Sequence, residues 1–470
     1  MNVRSRGLVS VLAVSLAVTG VLVTTPPGSS ITPAAAATVE AATPPNIVVV
    51  MSDDQRRHAF ATMPTVRKEL IHKGTSYIGF SPTSACCPSR TSFLTSNYSH
   101  TTGVYNNVDP VYGGWPAFNA SGWEDTTIAT DLDASGYHTG LIGKYLNLWN
   151  KAPDGFVPPG WDVFRAIYSD VGQGGGRYYD YELRGTQPTE YFAKSPEDYS
   201  TDVLADRAVR FVRNAPEDQP FFLLFTPYGP HEPSTPAPRD KGTWAPKYPY
   251  DNPAINEEDM SDKPAFMQGL PRVDRGWIKR AKDRSGEALM SVDDAVARLI
   301  KEVGDRMPNT LFVYTSDQGV MWGEHRMQEK YNPYQWATEY PMIMRWGNRL
   351  PVEQQNRLVP NVDFGATLLD VAGVTPSFPI AGSSVFGSYR ADVVLEGLAV
   401  QGRPAYCGLR MRNWLYVEWS DDLGVELYDY AHDPFELENV AGRPGFADKE
   451  AEMRQRTVEL CSPTPPGFTW

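Results

Sequence analysis

The sequence predicts an α/β protein built on a large, mostly parallel β-sheet, with a small antiparallel addition at the C-terminus. Three short apolar runs, at residues 46–51, 221–225 and 309–314, are typical of buried parallel strands. Helical stretches lie between them, and 470 residues are enough for one large domain plus a small subdomain. After about residue 400 the pattern changes to short segments typical of antiparallel strands, such as residues 414–418.

Composition and charge restrict the class of partner. The chain carries 56 acidic and 43 basic residues, and its net charge of −13 argues against nucleic acid or an anionic membrane as a partner. An anionic substrate is compatible with this charge, because a binding site needs only a local cluster of cations. The hydrophobic content of 41% is sufficient for a full core.

The N-terminus has the pattern of a secretion signal. Two arginines precede an apolar run at residues 8–23, and small residues at 34–37 offer a cleavage site. The run is short for a membrane span, so a retained anchor is the less favoured alternative. We therefore predict a signal at residues 1–37, a secreted, extracellular mature chain and no stable membrane anchor.

Two of the predicted strands end in acidic or amide residues. The strand at residues 46–51 is followed by Asp53 and Asp54, and the strand at 309–314 by Asp317 and Gln318. Ligand sites in open α/β sheets lie beyond the carboxyl ends of strands. Adjacent carboxylates repel each other, so a cation between them is expected, although Asp is also common in ordinary turns.

Two further strand ends deliver basic side chains. A strand at residues 138–142 leads to Lys144, and the strand at 221–225 leads to His231 in a proline-rich loop. Alone, such a lysine is often only solvated and such a histidine only structural. The other predicted elements are helices at 65–72, 126–134, 199–213, 277–303 and 362–371 and strands at 76–80 and 341–346.

The most informative stretch is SACCPSRTSFLTS at residues 84–96. Pro88 suits a first helical position, so a short helix is predicted there, with Cys86 just ahead of its N-terminus. The N–H groups and dipole at such a terminus favour an anion. The alternative interpretation of Cys86 and Cys87 is a pair of buried apolar side chains, or half of a disulfide.

This stretch resembles the signature of formylglycine-dependent sulfatases, which belong to the alkaline phosphatase-like superfamily. The matching residues are Cys86, Pro88, Ser89, Arg90, Leu94 and Thr95. In that family the first cysteine of the motif, here Cys86, is oxidised to formylglycine. Ser96 departs from the usual glycine.

The resemblance covers the chain from about Asn46 onward and implies its fold. A large mixed, mostly parallel sheet flanked by helices is expected at residues 38–400, and a small antiparallel α+β subdomain at 401–470. If Cys86 is modified and Cys87 is buried, the two remaining cysteines would form a disulfide within the C-terminal part. Those cysteines are Cys407 and Cys461.

The resemblance also implies a role for each candidate site residue. All-oxygen ligation suits Ca²⁺, with Mg²⁺ as the alternative, and argues against Zn²⁺. The implied metal ligands are Asp53, Asp54, Cys86 as formylglycine, Asp317 and Gln318. The implied catalytic residues are Cys86 as nucleophile, Arg90 to orient it, Lys144 and Lys330 to bind sulfate, and His231 to protonate the leaving oxygen.

Two local segments narrow the resemblance, and two positions depart from it. GKYLN at residues 143–147 and VPPGW at 157–161 are similar to the N-acetylglucosamine-6-sulfatase and extracellular heparan-sulfatase branch. Leu146 replaces a histidine that serves as base in many relatives, which leaves Asp317 or His325 as alternatives. A second departure, Glu339, would disfavour highly sulfated chains if its side chain faces the site.

The resulting prediction is a secreted sulfatase that hydrolyses sulfate monoesters of sugars, with N-acetylglucosamine-6-sulfate as the first candidate. A formylglycine-generating enzyme is the expected partner during maturation. The alternatives are an arylsulfatase, a phosphate or phosphonate ester hydrolase of the same fold, and a carbohydrate-binding pseudoenzyme whose Cys86 is not converted.

Overall fold

Ten of the strands form one large mixed sheet in the computed structural model, which describes residues 43–169, 177–244, 251–387 and 389–470. The predicted signal at residues 1–37 lies outside these residues. Numbered along the chain, the strands are β1 Asn46–Ser52, β2 Thr75–Phe80, β3 His138–Gly143, β4 Val163–Tyr168, β5 Tyr181–Gly185, β6 Glu190–Phe192, β7 Phe221–Thr226, β8 Thr310–Ser316, β9 Met321–Trp322, β10 Gln328–Glu329, β11 Glu339–Arg345, β12 Glu353–Pro360, β13 Asp392–Gly397, β14 Tyr406–Met411, β15 Trp414–Trp419 and β16 Gly424–Asp429.

The order of strands across the large sheet is β12-β2-β11-β8-β1-β7-β3-β4-β5-β6. The central strands β8, β1, β7, β3 and β4 are parallel to one another, whereas β11 and β5 run antiparallel to their neighbours. The pair β9–β10 forms a separate two-stranded ribbon. The predicted fold class, a mostly parallel sheet with a small antiparallel sheet beside it, is therefore confirmed.

Helices cover both faces of the sheet, and those that were predicted lie within a few residues of their predicted positions. The predicted helix at residues 65–72 is the exception in type, because it forms a short π-helix, Val66–Leu70, followed by a 3₁₀ turn. The α-helices are α1 Cys86–Thr95, α2 Ser99–Thr102, α3 Gly114–Ser121, α4 Ile128–Ala134, α5 Ser200–Asn214, α6 Ala265–Gln268, α7 Arg275–Val303, α8 Gln335–Thr338, α9 Asn361–Ala372 and α10 Ala447–Leu460.

The central strand β1 contributes to a core on each face of the sheet. Ile47 and Val49 pack into one apolar cluster with α1, α4 and α9, while Val48 and Val50 pack into the other with α5 and α7. This division follows from strand geometry, since successive side chains point to opposite faces. A strand buried on both faces reads as a continuous apolar run, which is why β1 was predictable.

The C-terminal part forms a four-stranded antiparallel sheet, β13-β14-β15-β16. It shares an apolar core with the edge of the large sheet, where Phe80 of β2 meets Leu395 and Trp419. Strand β13 lies ahead of residue 401, so this sheet begins before the predicted subdomain boundary. Cys407 and Cys461 form the predicted disulfide, which joins β14 to the end of α10.

In the part of the chain that the structure describes, no helix combines sufficient length with sufficient apolar character to span a membrane.

Candidate active site

Four parallel strands end at the same edge of the sheet and bring the predicted polar residues together there. Strand β1 lies between β7 and β8, and β3 lies next to β7. Their ends lead into Asp53 and Asp54 after β1, Asp317 and Gln318 after β8, Lys144 after β3, and His231 in the loop after β7.

The helix α1 begins at Cys86 and places it beside these strand ends. The helix therefore starts slightly earlier than predicted, with Cys86 in its first turn and Ala85 in an extended conformation before it. All ten residues of α1 are buried, although the helix carries little apolar character on either face. Arg90 follows Cys86 by one turn, so both side chains lie on the same side of the helix.

Each buried carboxylate of the site is paired with a cation. The side chains of Asp53, Asp54 and Asp317 are at most 7% exposed. Charges so deeply buried require a partner of opposite sign. The three pairs are Lys144 Nζ with Asp53 at 2.5 Å, Lys330 Nζ with Asp54 at 2.7 Å, and Arg90 Nε with Asp317 at 2.9 Å.

Burial and these ion pairs shift the pKa values of the three carboxyl groups in opposite directions. Burial alone would raise the pKa of Asp53 and Asp54, but the ammonium groups of Lys144 and Lys330 outweigh it and hold both pKa values below the ordinary range. Burial and the nearby Asp53 charge raise the pKa of Asp317 to about 8, despite Arg90. Asp317 is therefore the carboxylate of the three whose negative charge the surrounding residues stabilise least.

The thiol of Cys86 lies within this charged cluster. The ammonium of Lys330 donates to Cys86 Sγ at 3.0 Å, and Nε2 of Gln318 donates to it at 3.3 Å. The thiol itself points toward Oδ1 of Asp53 at 3.7 Å. Residue 86 is thus enclosed by donors on one side and carboxylates on the other.

The imidazole of His231 reaches the same cluster through Nε2. This nitrogen lies 3.1 Å from Nζ of Lys330 and 3.4 Å from a carboxylate oxygen of Asp54. Its Nδ1 lies 2.7 Å from the carbonyl of Glu232 and 2.9 Å from the hydroxyl of Tyr228. Because a carbonyl can only accept, Nδ1 carries the proton. Burial and the Lys330 charge lower the pKa of His231, which favours the neutral ring with Nε2 as acceptor.

Tyr228 was not among the predicted site residues. Its ring lies 4.8 Å from the His231 ring, nearly parallel to it, and its hydroxyl bonds to Nδ1. The only sequence signal was its position three residues before His231 in the same loop. Tyrosine is too common in loops for that position alone to indicate a role.

The donor set fits a hard cation. Ligand atoms of Asp53, Asp54, Cys86 and His231 all lie within 4.8 Å of one another. Oε1 of Gln318 is buried and, among the described residues, has no hydrogen-bond partner, while Nε2 of the same amide faces Asp54 and Cys86. Rotation of the terminal amide would therefore bring the oxygen to the cluster as a ligand. Carboxylate and amide oxygens are the donors that Ca²⁺ and Mg²⁺ prefer.

Asp317 occupies a different position in this set. Its Oδ1 accepts hydrogen bonds from the N–H groups of Asp54 and Gln318, and its Oδ2 accepts from Arg90. These bonds tie the end of β8 to the end of β1 and to α1. Asp317 therefore holds the two acidic strand ends together in addition to any contact with a cation.

His325 does not belong to this site, contrary to one of the alternatives for the base. Its Nδ1 lies 2.5 Å from a carboxylate oxygen of Glu257, and its Nε2 lies 3.5 Å from Glu436. Burial opposes protonation, but the bonds to these two carboxylates raise the pKa of His325 to about 9. A ring held between two glutamates beside the C-terminal sheet is a structural cation. Leu146, at the position of the usual base, is fully buried in the core.

Glu339 does not line the site cavity, so the condition under which it would disfavour highly sulfated chains is not met. Its carboxylate is buried and lies 2.8 Å from Arg57 and 2.8 Å from Arg410. These two guanidinium groups neutralise it and lower its pKa, although burial acts in the opposite direction. The site cavity, which we define by Asp54, His231 and Lys330, has a volume of about 610 Å³.

Comparison with known proteins agrees with this geometry. The sulfatase family model matches residues 45–374, which is more than half of the chain. The chain belongs to the sulfatase family. This sulfatase is therefore a sulfuric ester hydrolase, and the predicted resemblance is confirmed.

Two curated relatives and one solved structure indicate which sulfatases this protein is similar to. It is 28% identical to N-acetylglucosamine-6-sulfatase of Bos taurus, covering 77% of this chain and 72% of the relative. It is 29% identical to a putative extracellular sulfatase Sulf-1 homolog of Caenorhabditis elegans, covering 69% of this chain but only 46% of that longer protein. The sulfatase is thus similar to the predicted branch.

The solved structure is a complex with its substrate D-glucosamine-2-N,6-O-disulfate. It superposes with a TM-score of 0.73 at 21% identity, covering 89% of this chain and 98% of the other. At this identity the match supports the fold of the sulfatase.

Proposed function

We propose that the protein is a secreted sulfatase that releases sulfate from sulfated sugars, with 6-O-sulfated N-acetylglucosamine as the preferred first substrate. The observation that carries the proposal is the cluster around Cys86, in which Lys330, His231 and three buried carboxylates meet at the start of α1. A sulfate monoester is an anion, and its cleavage requires cationic groups and a proton donor at one point. The similarity to N-acetylglucosamine-6-sulfatases supports the sugar class.

Cys86 is proposed to carry the formylglycine modification, made by a formylglycine-generating enzyme. When present, its hydrated aldehyde supplies a hydroxyl nucleophile in place of the thiol. The position suits this role because the first turn of α1 directs N–H groups and its dipole toward residue 86, where negative charge develops. Arg90 fixes the helix by donating to Asp317 and to the carbonyl of Lys144.

A divalent cation, calcium in our proposal, would be held by Asp53, Asp54, Asp317 and Gln318 together with residue 86. When bound, such a cation polarises oxygen ligands and lowers their pKa. Its positive charge would also compete with Lys144 and Lys330 for the carboxylates of Asp53 and Asp54. The two ammonium groups would then be available to neutralise the sulfate of the substrate.

His231 is proposed to transfer the proton to the leaving alcohol. Its Nδ1 donates to the Glu232 carbonyl, so Nε2 is the nitrogen directed at the cluster and the atom that would carry the transferred proton. After this transfer the neutral ring is an acceptor again. We therefore assign to His231 the second proton transfer as well, which many relatives give to the histidine replaced here by Leu146.

Secretion is proposed from the N-terminal pattern and from the similarity to an extracellular sulfatase homolog. Sequencing the N-terminus of protein recovered from the culture medium tests it, with a start near Thr38 as the expected result. Full-length chain retained in the cell, with Met1 at its N-terminus, would contradict secretion.

A kinetic comparison of substrates tests the proposed activity. We expect release of sulfate from N-acetylglucosamine-6-sulfate and slower or no cleavage of nitrophenyl phosphate and a phenylphosphonate ester. Turnover of nitrophenyl sulfate alone, with no sulfated sugar cleaved, would identify an arylsulfatase. Preference for the phosphorus esters would identify a phosphate or phosphonate ester hydrolase. Protein that retains two thiols and binds sugars without turnover would be a pseudoenzyme.

A further inference from the structure

A second cavity of about 670 Å³ adjoins the site cavity of about 610 Å³. The two cavities share Trp277, Arg280 and Gln401 in their walls. The two cavities are therefore neighbours along the start of α7, and we refer to them together as the groove. Each volume lies in the range of ordinary ligand sites, and together they exceed the space that one sugar ring requires.

One face of α7 forms the junction between the cavities. Trp277, Arg280, Ala281, Arg284 and Ser285 all line the site cavity. Their spacing of three and four residues is that of a single helix face. The side chain of Arg280 is 60% exposed, and its nearest carboxylate, Asp274, is 3.7 Å away. Arg284 is also exposed. This face thus presents two solvated guanidinium groups and an indole ring to the groove.

The second cavity is the more basic part of the groove. Among the described residues, its wall contains four arginines and a single carboxylate, that of Asp274. The four are Arg272, Arg280, Arg326 and Arg403. Such a cluster is unexpected on a chain whose net charge is −13.

Two of these arginines are held in place by uncharged partners. Arg326 donates to the backbone carbonyls of Glu257, Glu258 and Leu270. Arg403 donates to the carbonyl of Gln328 and to the side chain of Gln401. Neutral partners fix the position of a guanidinium without cancelling its charge. Arg326 and Arg403 can therefore attract an anion into the second cavity.

Apart from Asp274, the described acidic residues of the groove line the site cavity. They are Asp54, Asp109, Glu232 and Glu329, and the first is paired with Lys330. The charge of the groove therefore changes from mixed near the reacting group to positive beyond Trp277. A ligand that matches this distribution of charge places its sulfate ester in the site cavity and further anionic groups in the second cavity.

We propose that the second cavity binds the continuing chain of a sulfated oligosaccharide, so that the enzyme acts on an anionic glycan in preference to a monosaccharide. The inference rests on the proposed function and extends it from one sugar to its neighbours. Arginine matches sulfate and carboxylate groups through paired N–H donors. The flat face of Trp277 suits an apolar sugar face between them. The ligand is therefore at least a disaccharide with an anionic group beyond the sugar that is cleaved.

Binding tests the groove independently of turnover. Full-length Cys86→Ala protein, which cannot cleave the ester, is titrated with a size-defined sulfated hexasaccharide. The double substitution Arg272→Gln and Arg280→Gln is expected to weaken this binding about tenfold or more, and added salt should weaken it further. Arg275→Gln is the matched control, because Arg275 is exposed on the same helix, lies 3.5 Å from Asp251, and lines neither cavity. Equal affinities for all three proteins would overturn the proposal.

Turnover separates failure of the groove from failure of the proposed function. In the active enzyme we expect kcat/KM for a 6-sulfated tetrasaccharide to exceed that for the monosaccharide about tenfold or more, and the double substitution to remove this advantage. If the monosaccharide is cleaved and neither the length of the substrate nor the double substitution changes kcat/KM, the proposed binding in the second cavity is overturned and the proposed sulfatase function stands. Hexasaccharide binding that depends on the arginines, with no sulfated sugar cleaved, supports the groove and overturns the function. Equally tight binding of a DNA oligonucleotide would overturn the assignment to a glycan.

Discussion

The Nζ atom of Lys330 lies 3.0 Å from Sγ of Cys86. The same ammonium bonds to both carboxylate oxygens of Asp54, at 2.7 and 2.8 Å, and to Nε2 of His231 at 3.1 Å. Burial disfavours a charged lysine, but Asp54 outweighs it and raises the pKa of Lys330 well above its ordinary value. A fully charged ammonium is thus fixed beside residue 86, at the N-terminus of α1. An anionic group at this position is stabilised both by the ammonium and by the helix dipole.

Modification is predicted at Cys86 and not at Cys87. Cys87 packs in the core under the sheet, and its N–H donates to Asn107 at 2.8 Å, so its side chain faces away from the charged cluster. Mass spectrometry of the tryptic peptide spanning residues 74–90 should show one cysteine replaced by a sulfur-free aldehyde at position 86. Two intact thiols in an enzyme of full activity would contradict the prediction.

The adjacent cysteine supplies the matched control for this prediction. Cys86→Ala should abolish turnover while cooperative unfolding is kept. Cys87→Ala should leave kcat/KM close to that of the unmodified sequence and reduce the free energy of unfolding by about 1 kcal/mol through the small cavity it creates.

The amide oxygen of Gln318 is predicted to bind the cation. Gln318→Leu removes this oxygen and should weaken calcium affinity roughly tenfold or more, since a hard ion loses one of its ligands. Gln318→Asn keeps the amide and should retain more of the affinity, as measured by calorimetric titration after chelation. Asp317→Ala should remove activity and calcium binding together. Native protein with stoichiometric zinc and no calcium or magnesium would refute the assignment.

His231 is predicted to matter more for poor leaving groups than for good ones. A sugar alkoxide must be protonated as it departs, whereas nitrophenolate leaves without a proton. His231→Gln should therefore reduce kcat for a sugar sulfate on the order of 100-fold or more, and kcat for nitrophenyl sulfate much less. Tyr228→Phe, which removes the hydroxyl at Nδ1, should show the same pattern more weakly. Equal losses on both substrates would instead indicate a role in binding.

The strand ends of the site were predictable from the sequence, because parallel strands bring their carboxyl ends to one edge. Asp53 and Asp317 follow short apolar runs, rich in β-branched and aromatic residues, that are typical of a buried strand. The short strands β5 and β6 at the sheet margin and the helix α10 were not predicted. In α10 only Met453 and Thr457 are buried, so the apolar periodicity that indicates a helix is weak.

The long-range ion pairs were not predictable, and they explain why Glu339 and His325 lie outside the site. Glu339 stands near site residues in the chain, but its partners Arg57 and Arg410 are 282 and 71 residues away. His325 precedes Lys330 by only five positions, yet the backbone between them has positive φ at several residues, including Arg326 and Glu329. These turns direct the two side chains to different parts of the molecule, and composition does not indicate such turns.

The buried pair of His325 and Glu257 predicts a pH dependence of stability. Burial opposes the charged ring, but Glu257 and Glu436 raise the pKa of His325 from 6.5 to about 9. The folded protein therefore keeps a proton that the unfolded chain releases above pH 6.5. The stabilisation is complete below that value and is lost as the pH rises toward 9, with a total of roughly 3 kcal/mol.

Thermal or urea unfolding at pH 6, 7.5 and 9 measures this contribution when the natural sequence is compared with His325→Gln. The natural protein should be clearly more stable than the variant at pH 6, and the difference should shrink as the pH rises, because only the natural protein loses a bound proton there. Other groups that titrate in the same window, such as Glu124 with its pKa raised to about 7 by burial, are present in both proteins and cancel in the difference. A difference in the free energy of unfolding that stays constant from pH 6 to 9 would show that His325 is not held as a cation by its two glutamates.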